Sequence, residues 1–393
     1  MTIKELAYIA QHHLQAHTGT QFKRAHIYEL LAAAFGFNSY AALCAEAVFT
    51  EQSLSSRRAA DFGEHVRNRC LEIGYLFDTA TKVAGVLPAL MTEHKFGLIR
   101  IRDLIVYLRD ESGHGSWPEE VARGDRNEVR WWSSSDELAS RLMLDGLNAA
   151  ASRGHAAAHY ALALIHAPTE DDFDASGVGS DYWYIQAQNG RVLTGVEQEW
   201  ADAHATRLAQ DERFSLHLRE AAKLGHQEAL LELADRFDDP AFFEQATDSV
   251  NAYPSWVADI AERMGRPEDA RKWLTEAAKR GDTEAMRQLI EDYDREDRQQ
   301  CWTWVYLAEL LGVDLTKDEY VAIHEDGSLY DDDVGGPMFV DGRDGLKLEP
   351  MSEEQGAAAR RFAQEIFERV KDGVQNSPQT ERSWRGFPGT ISA

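Results

Sequence analysis

Residues 271–293 read RKWLTEAAKRGDTEAMRQLIEDY, and this stretch decides the fold. Leu274, Ala277 and Ala278 stand at i, i+3 and i+4, so they share one stripe of a helix. Gly281 ends that helix, because glycine enters the left-handed C′ conformation without a Cβ penalty. Ala285, Leu289 and Ile290 then form a second stripe on a second helix. The contact positions are small, so the two backbones approach closely. A hairpin this short does not bury its own apolar face and needs similar neighbours on both sides.

Such neighbours flank it. LNAAASRGHAAAHYALA from Leu147, LREAAKLGHQEALLELA from Leu218 and LTEAAKRGDTEAMRQLI from Leu274 align without gaps on the pattern L-x-x-A-A-x-x-G-x-x-x-A. A fourth copy, GVGSDYWYIQAQNGRVLTGVEQEW from Gly177, lies between the first two; its Gly190 stands 36 residues after Gly154 and 35 before Gly225. A fifth, CWTWVYLAELLG ending at Gly312, keeps the first helix and loses the small residues. Between Gly225 and Gly281 the spacing is 56, so roughly 20 extra residues, near 239–255, interrupt a single-period array.

This pattern resembles the Sel-one-like repeat (SLR), a branch of the tetratricopeptide-like α-solenoids. Gly177-Val178-Gly179, Asp181 and Trp183-Tyr184 are similar to that family's inter-repeat loop and aromatic first helix. Ala221-Ala222 with Gly225, and Ala277-Ala278 with Gly281, match its alanine pair and helix-ending glycine. The resemblance covers residues 131–312. The Gly-rich loop is absent before the copies at Leu218 and Leu274. An all-α solenoid follows from the resemblance, and solenoids offer an extended concave surface to partners.

The rest of the chain divides around the repeats. Residues 1–50 read as a helical unit, with Ser39 the expected N-cap of a third short helix. LLAAAFGFNSYAAL loosely matches a helix-turn-helix, but its second helix carries Tyr40, Cys44 and Glu46 and no Lys or Arg. The unit also resembles a small helical module at the front of bacterial proteins of unknown function. Residues 51–128 continue as helices and a Gly/Ser-rich linker, with Arg57, Arg58, Arg67 and Arg69 on a solvated face and an apolar helix or strand from Leu98 to Leu108. The solenoid is expected over 129–320 and an acidic loop or small hairpin over 321–350. A capping helix over 351–373 and a polar, mobile tail over 374–393, with Pro378 and Pro388, complete the division.

Charge and chemistry narrow the function. The chain has 41 Lys and Arg against 67 Asp and Glu, a formal net charge of -26, which opposes phosphate binding; no nucleic acid is expected as a partner. Cys44, Cys70 and Cys301 are too few and too far apart for a disulfide framework, which fits a cytoplasmic protein. No signal peptide, membrane span, GxSxG, HExxH or Walker loop is read. His13 and His17 could face one metal but lack a third ligand. Asp172, Asp174 and Ser176 begin like a calcium loop and end on Trp183 where Glu is needed. Asp331, Asp332 and Asp333 likewise reach Gly342. No catalytic residue, cofactor or metal site is therefore expected.

Between Val313 and Glu354 stand 13 acidic and 3 basic residues, a local charge of -10. The expected function is a non-catalytic protein–protein interaction scaffold whose partner carries a basic surface. Asp331, Asp332 and Asp333, with Trp183, Trp273 and Trp302, are the candidate contacts. Two alternatives are a regulator whose first fifty residues bind DNA, and an enzyme whose site is assembled from distant residues. The first needs a basic face, the second a pocket with perturbed titratable groups.

Overall fold

The computed structural model describes residues 1–51, 62–111, 140–168, 180–245, 250–325, 328–330 and 337–376. These residues are mostly helical, with four short strands in two antiparallel pairs. Arg57, Arg58, the Gly/Ser-rich linker beyond residue 111, the Asp172–Gly179 loop and Asp331, Asp332 and Asp333 lie outside them. The chain forms two compact units, Met1–Phe242 and Phe243–Ala393, so the array expected over 129–320 is divided between them.

In the first unit, α1 (Ile3–Thr18) opens on a capping box, the Thr2 side chain accepting from the Glu5 amide and Glu5 reaching back to Thr2. Helices α2 (Arg24–Ala33) and α3 (Tyr40–Glu46) follow, and Ser39 caps α3 as expected, accepting from Ala42. The chain then becomes strand β1 (Ala47–Glu51), which pairs with β2 (Phe96–Arg100) in the register Ala47↔Arg100 to Glu51↔Phe96. Helices α4 (Gly63–Glu72) and α5 (Phe77–Glu93) lie between them, and α6 (Ile101–Glu111) follows β2 directly. The stretch from Leu98 is thus both strand and helix.

The expected boundary at residue 50 is not a boundary of the core. Leu6, Leu14, Leu31 and Phe35 from one side share one apolar cluster with Val66, Val83, Leu87 and Leu98 from the other. The pairing of β1 with β2 stitches those segments together. Helix α5 also packs on α1.

The repeat hairpins follow. Helix α7 (Arg141–Ala151) turns into α8 (Ala156–Ile165); α9 (Ser180–Gln188) precedes α10 (Val196–Lys223), which turns into α11 (Gln227–Phe237). At Gly225 φ is +84°; its amide bonds Ala222 O, and His226 bonds back to Ala221 O. That double bond is the Schellman turn the glycine pattern calls for. The same pair of bonds recurs at Gly154, Gly190, Gly281 and Gly312. Helix α10 is the exception to repeat logic. Its 28 residues join the second helix of the copy at Gly177 to the first helix of the copy at Leu218, where the sequence has no Gly-rich loop to break them.

In the second unit, α12 (Pro254–Arg263) turns at Gly265 into α13 (Pro267–Lys279), and α14 (Thr283–Gln288) runs on as a π turn, Leu289–Tyr293. Helix α15 (Arg298–Leu310) leads to β3 (Glu319–Ile323), β4 (Phe339–Arg343) and α16 (Glu353–Asn376). Helix α16 buries Ala359, Ala363 and Ile366 and packs along α15.

Candidate partner-binding surface

The acidic segment is built around an antiparallel pair. Glu319 lies opposite Arg343 and Ile323 opposite Phe339, so the hairpin option for this segment is the one the described residues adopt. Alternation along EYVAI places Tyr320 and Ala322 on one face and Val321 and Ile323 on the other. In an antiparallel pair, a residue bonded away from its neighbour faces a residue that also points away. Ala322 O accepts from Tyr330 at 2.9 Å, on the side away from β4. Its opposite number Val340 therefore turns its amide and carbonyl to the outer edge of β4.

Side-chain clamps hold this hairpin on α14. Arg343 donates from both terminal nitrogens to the two carboxylate oxygens of Glu284, at 2.5 and 2.7 Å. Those bonds hold the Glu284 carboxyl below the usual range. Arg287, 3% exposed, donates to Asp344 O at 3.1 Å and Leu315 O at 3.3 Å. Tyr320 donates to Asp344 at 2.5 Å, which raises its phenol pKa. Gly345 donates to Asp318 at 2.8 Å.

What the clamps present is apolar. Tyr320, Val321, Leu329, Met338, Phe339 and Val340 are all exposed, Phe339 at 45% and Val340 at 65%. A two-stranded hairpin is marginal alone, and here its fixation comes from polar anchors that leave the apolar side chains in water. Sequence reasoning reached the acidic charge and missed these residues. The signal available was the short aromatic and β-branched run Tyr320-Val321-Ala322-Ile323.

The candidate tryptophans separate. Trp302 is half-buried; its indole donates to Glu349 O at 3.0 Å, its ring lies 5.5 Å from Tyr306, and Arg298 beside it pairs with Glu349. It pins the segment that enters α16. Trp183 is half-buried in the first unit, under the guanidinium of Arg191 at 4.7 Å and beside exposed Tyr182 and Ile185. Trp273 is 3% exposed within α13. It is corrected from contact to core residue, since its place on the inward stripe with Ala270, Leu274 and Ala277 buries it.

Other polar groups are engaged structurally. Glu232 accepts from Tyr160 at 3.1 Å and Arg236 at 2.9 Å; Arg109 donates to the Tyr160 hydroxyl at 3.0 Å. Asp294 takes Arg271 at 2.8 Å and the Trp304 indole at 3.0 Å. His17 bonds the His13 carbonyl at 2.8 Å. Among the described residues, no group of three or more His, Cys, Asp or Glu is placed to hold a metal ion. None of the described helices is long and apolar enough to cross a membrane. No family model, curated protein or solved structure matches the chain.

Proposed function

We propose that this chain is a non-catalytic protein-interaction scaffold of the Sel-one-like type, working in the cytoplasm and binding a protein partner with a basic surface. The repeat hairpins form the solenoid frame, α16 caps it, and β3–β4 receives the partner. One observation carries the reading: a clamped hairpin that exposes Tyr320 and Val340 on one face and Val321 and Phe339 on the other, with Leu329 and Met338 exposed beside them, inside a segment of net charge -10. An exposed apolar patch rimmed by polar residues marks an interaction site, and the acidic rim selects a basic partner and speeds encounter. The free thiols of Cys44, Cys70 and Cys301 suit a reducing compartment. Against the DNA-binding alternative, Arg69 is spent on Glu29 and Glu72 and Arg67 on Glu64. Against the enzyme alternative, the buried carboxylates Glu232 and Asp294 are held by structural partners.

The test is quantitative capture by the full chain from its native host. A partner retained by the wild type is expected to fall at least about tenfold with Met338→Ser/Phe339→Ser/Val340→Ser, equivalent to about 1.4 kcal/mol. With Asp331→Asn/Asp332→Asn/Asp333→Asn, association is expected to slow and lose salt dependence. Unchanged capture in both variants, with helical circular dichroism intact, contradicts the proposal.

A further inference from the structure

We infer that the docking surface on β3–β4 is occupied in the resting chain by the chain's own basic, aromatic segment Arg382-Ser383-Trp384-Arg385-Gly386-Phe387. This rests on the reading of that hairpin as a docking surface, and it names the chemistry the surface recognises: arginines spaced by aromatic rings. Charge is the first argument. The segment has two arginines and no carboxylate between 382 and 387, within a chain of net charge -26, whereas residues 313–354 carry -10. A second copy of the hairpin would bring two such acidic segments together, and like charges facing each other across a strand pair are destabilising.

Connectivity is the second argument. Glu349 meets Arg298 and Trp302 near the start of α15, and the Arg360 guanidinium lies 4.6 Å from the Tyr306 ring farther along. Helices α15 and α16 therefore run in the same direction. Helix α15 stops at Leu310, the end from which the chain departs for β3, and α16 continues past it to Asn376. From Asn376 to Arg382 an extended chain spans roughly 20 Å. A tethered segment of this kind binds at an effective concentration in the millimolar range, so modest affinity suffices.

The hairpin supplies what such a segment needs. Among the described residues, the outward amide and carbonyl of Val340 make no backbone bond outside the β3–β4 pair, which leaves an edge for main-chain pairing. Tyr320 and Val340 on one face and Phe339 on the other offer apolar surface to Trp384 and Phe387. Glu319, 3.6 Å from Arg343, and Asp341, which accepts from the Gly342 amide at 2.9 Å, offer their remaining carboxylate oxygens to the arginines. An external partner then binds by displacing the tail, which sets a threshold for its affinity.

The test uses the full chain and amide exchange of the peptide covering 338–343. Compared with Arg382→Glu/Trp384→Ala/Arg385→Glu, the wild type is expected to exchange about fivefold more slowly there, and the difference is expected to shrink at 0.5 M salt. A photo-reactive residue in place of Trp384 is expected to cross-link within the same molecule to residues 319–343. Equal exchange in the two proteins, or cross-links confined to other sites or to second molecules, overturns the inference. The substitutions lie beyond α16, so loss of folding does not confound them. If a partner is still captured on β3–β4 while the tail variant changes nothing, the tail inference fails alone. If the tail protects the hairpin but no partner is ever captured, the scaffold reading fails instead.

Discussion

The two antiparallel pairs of this protein, β1–β2 and β3–β4, have the same length and simple register and opposite relations to water. In β1–β2, Val48, Phe49, Leu98 and Ile99 are buried; in β3–β4, Val321, Phe339 and Val340 are exposed. The first pair is held by apolar burial under helices, and its residues are core. The second is held by Arg343, Arg287 and Tyr320 through polar contacts, and its apolar residues are left over. An apolar residue that is not needed for holding a strand in place is available for something else. That contrast is the physical basis for reading β3–β4 as a surface for recognition.

The contrast is broken or sharpened by substitution. The largest expected effect is Phe49→Ala, which removes a ring that is 1% exposed and is expected to cost about 3–5 kcal/mol in urea unfolding. Phe339→Ala, at a comparable strand position, is expected to cost less than about 1 kcal/mol. Equal losses would abolish the distinction. Next is Arg287→Met, which removes the buried bonds to Asp344 and Leu315 and is expected to cost roughly 2 kcal/mol. Its specific signature is faster amide exchange across 319–343 with helical content retained; unchanged exchange would show that the clamp does not position the hairpin.

A smaller effect, in the first unit, is tied to pH. His217 accepts or donates at 3.0 Å to His159 and stacks toward His166; burial, then His159, His166 and Arg213, lowers its pKa from 6.5 to about 4. The unfolded chain takes up this proton near pH 6.5 and the folded chain only near 4. Stability from this site is present above pH 6.5, falls between 6.5 and 4, and is flat below. His217→Gln is expected to flatten the urea midpoint over that window, and an unaltered slope would show that His217 does not contribute. The smallest effect is Gly225→Ala. Its φ of +84° with no atom within 4 Å of a Cβ confines the cost to backbone strain, about 1 kcal/mol; no change in midpoint would contradict the left-handed turn.

Much of the helical frame was legible because its signals are local. Gly154, Gly190, Gly225, Gly281 and Gly312 each sit where one backbone conformation favours glycine, and alanine pairs before Gly154, Gly225 and Gly281 mark the close helix contacts. Ser39 was legible as a cap for the same reason. The union of residues 1–50 with those up to Arg100 was not, because β1–β2 pairing spans a long separation, and an apolar helix or strand read from Leu98 does not name its partner. The continuity of α10 was hinted at only by a missing loop. On the candidate surface, acidity was visible as composition, whereas the exposure of Phe339 and Val340 depends on Arg287 and Glu284, which are distant in sequence. Trp273 and Trp302 look alike in sequence; only the direction each faces distinguishes the buried ring from the half-buried one that pins Glu349.

The most direct measurement places a photo-reactive residue at Val340 in the full chain and, separately, at Leu76, an equally apolar and 79% exposed position in the first unit, in cells of the native host. Docking on β3–β4 predicts a discrete protein adduct at 340, absent at 76 and reduced by Asp331→Asn/Asp332→Asn/Asp333→Asn. No adduct at 340, or the same adducts at both positions, would contradict it.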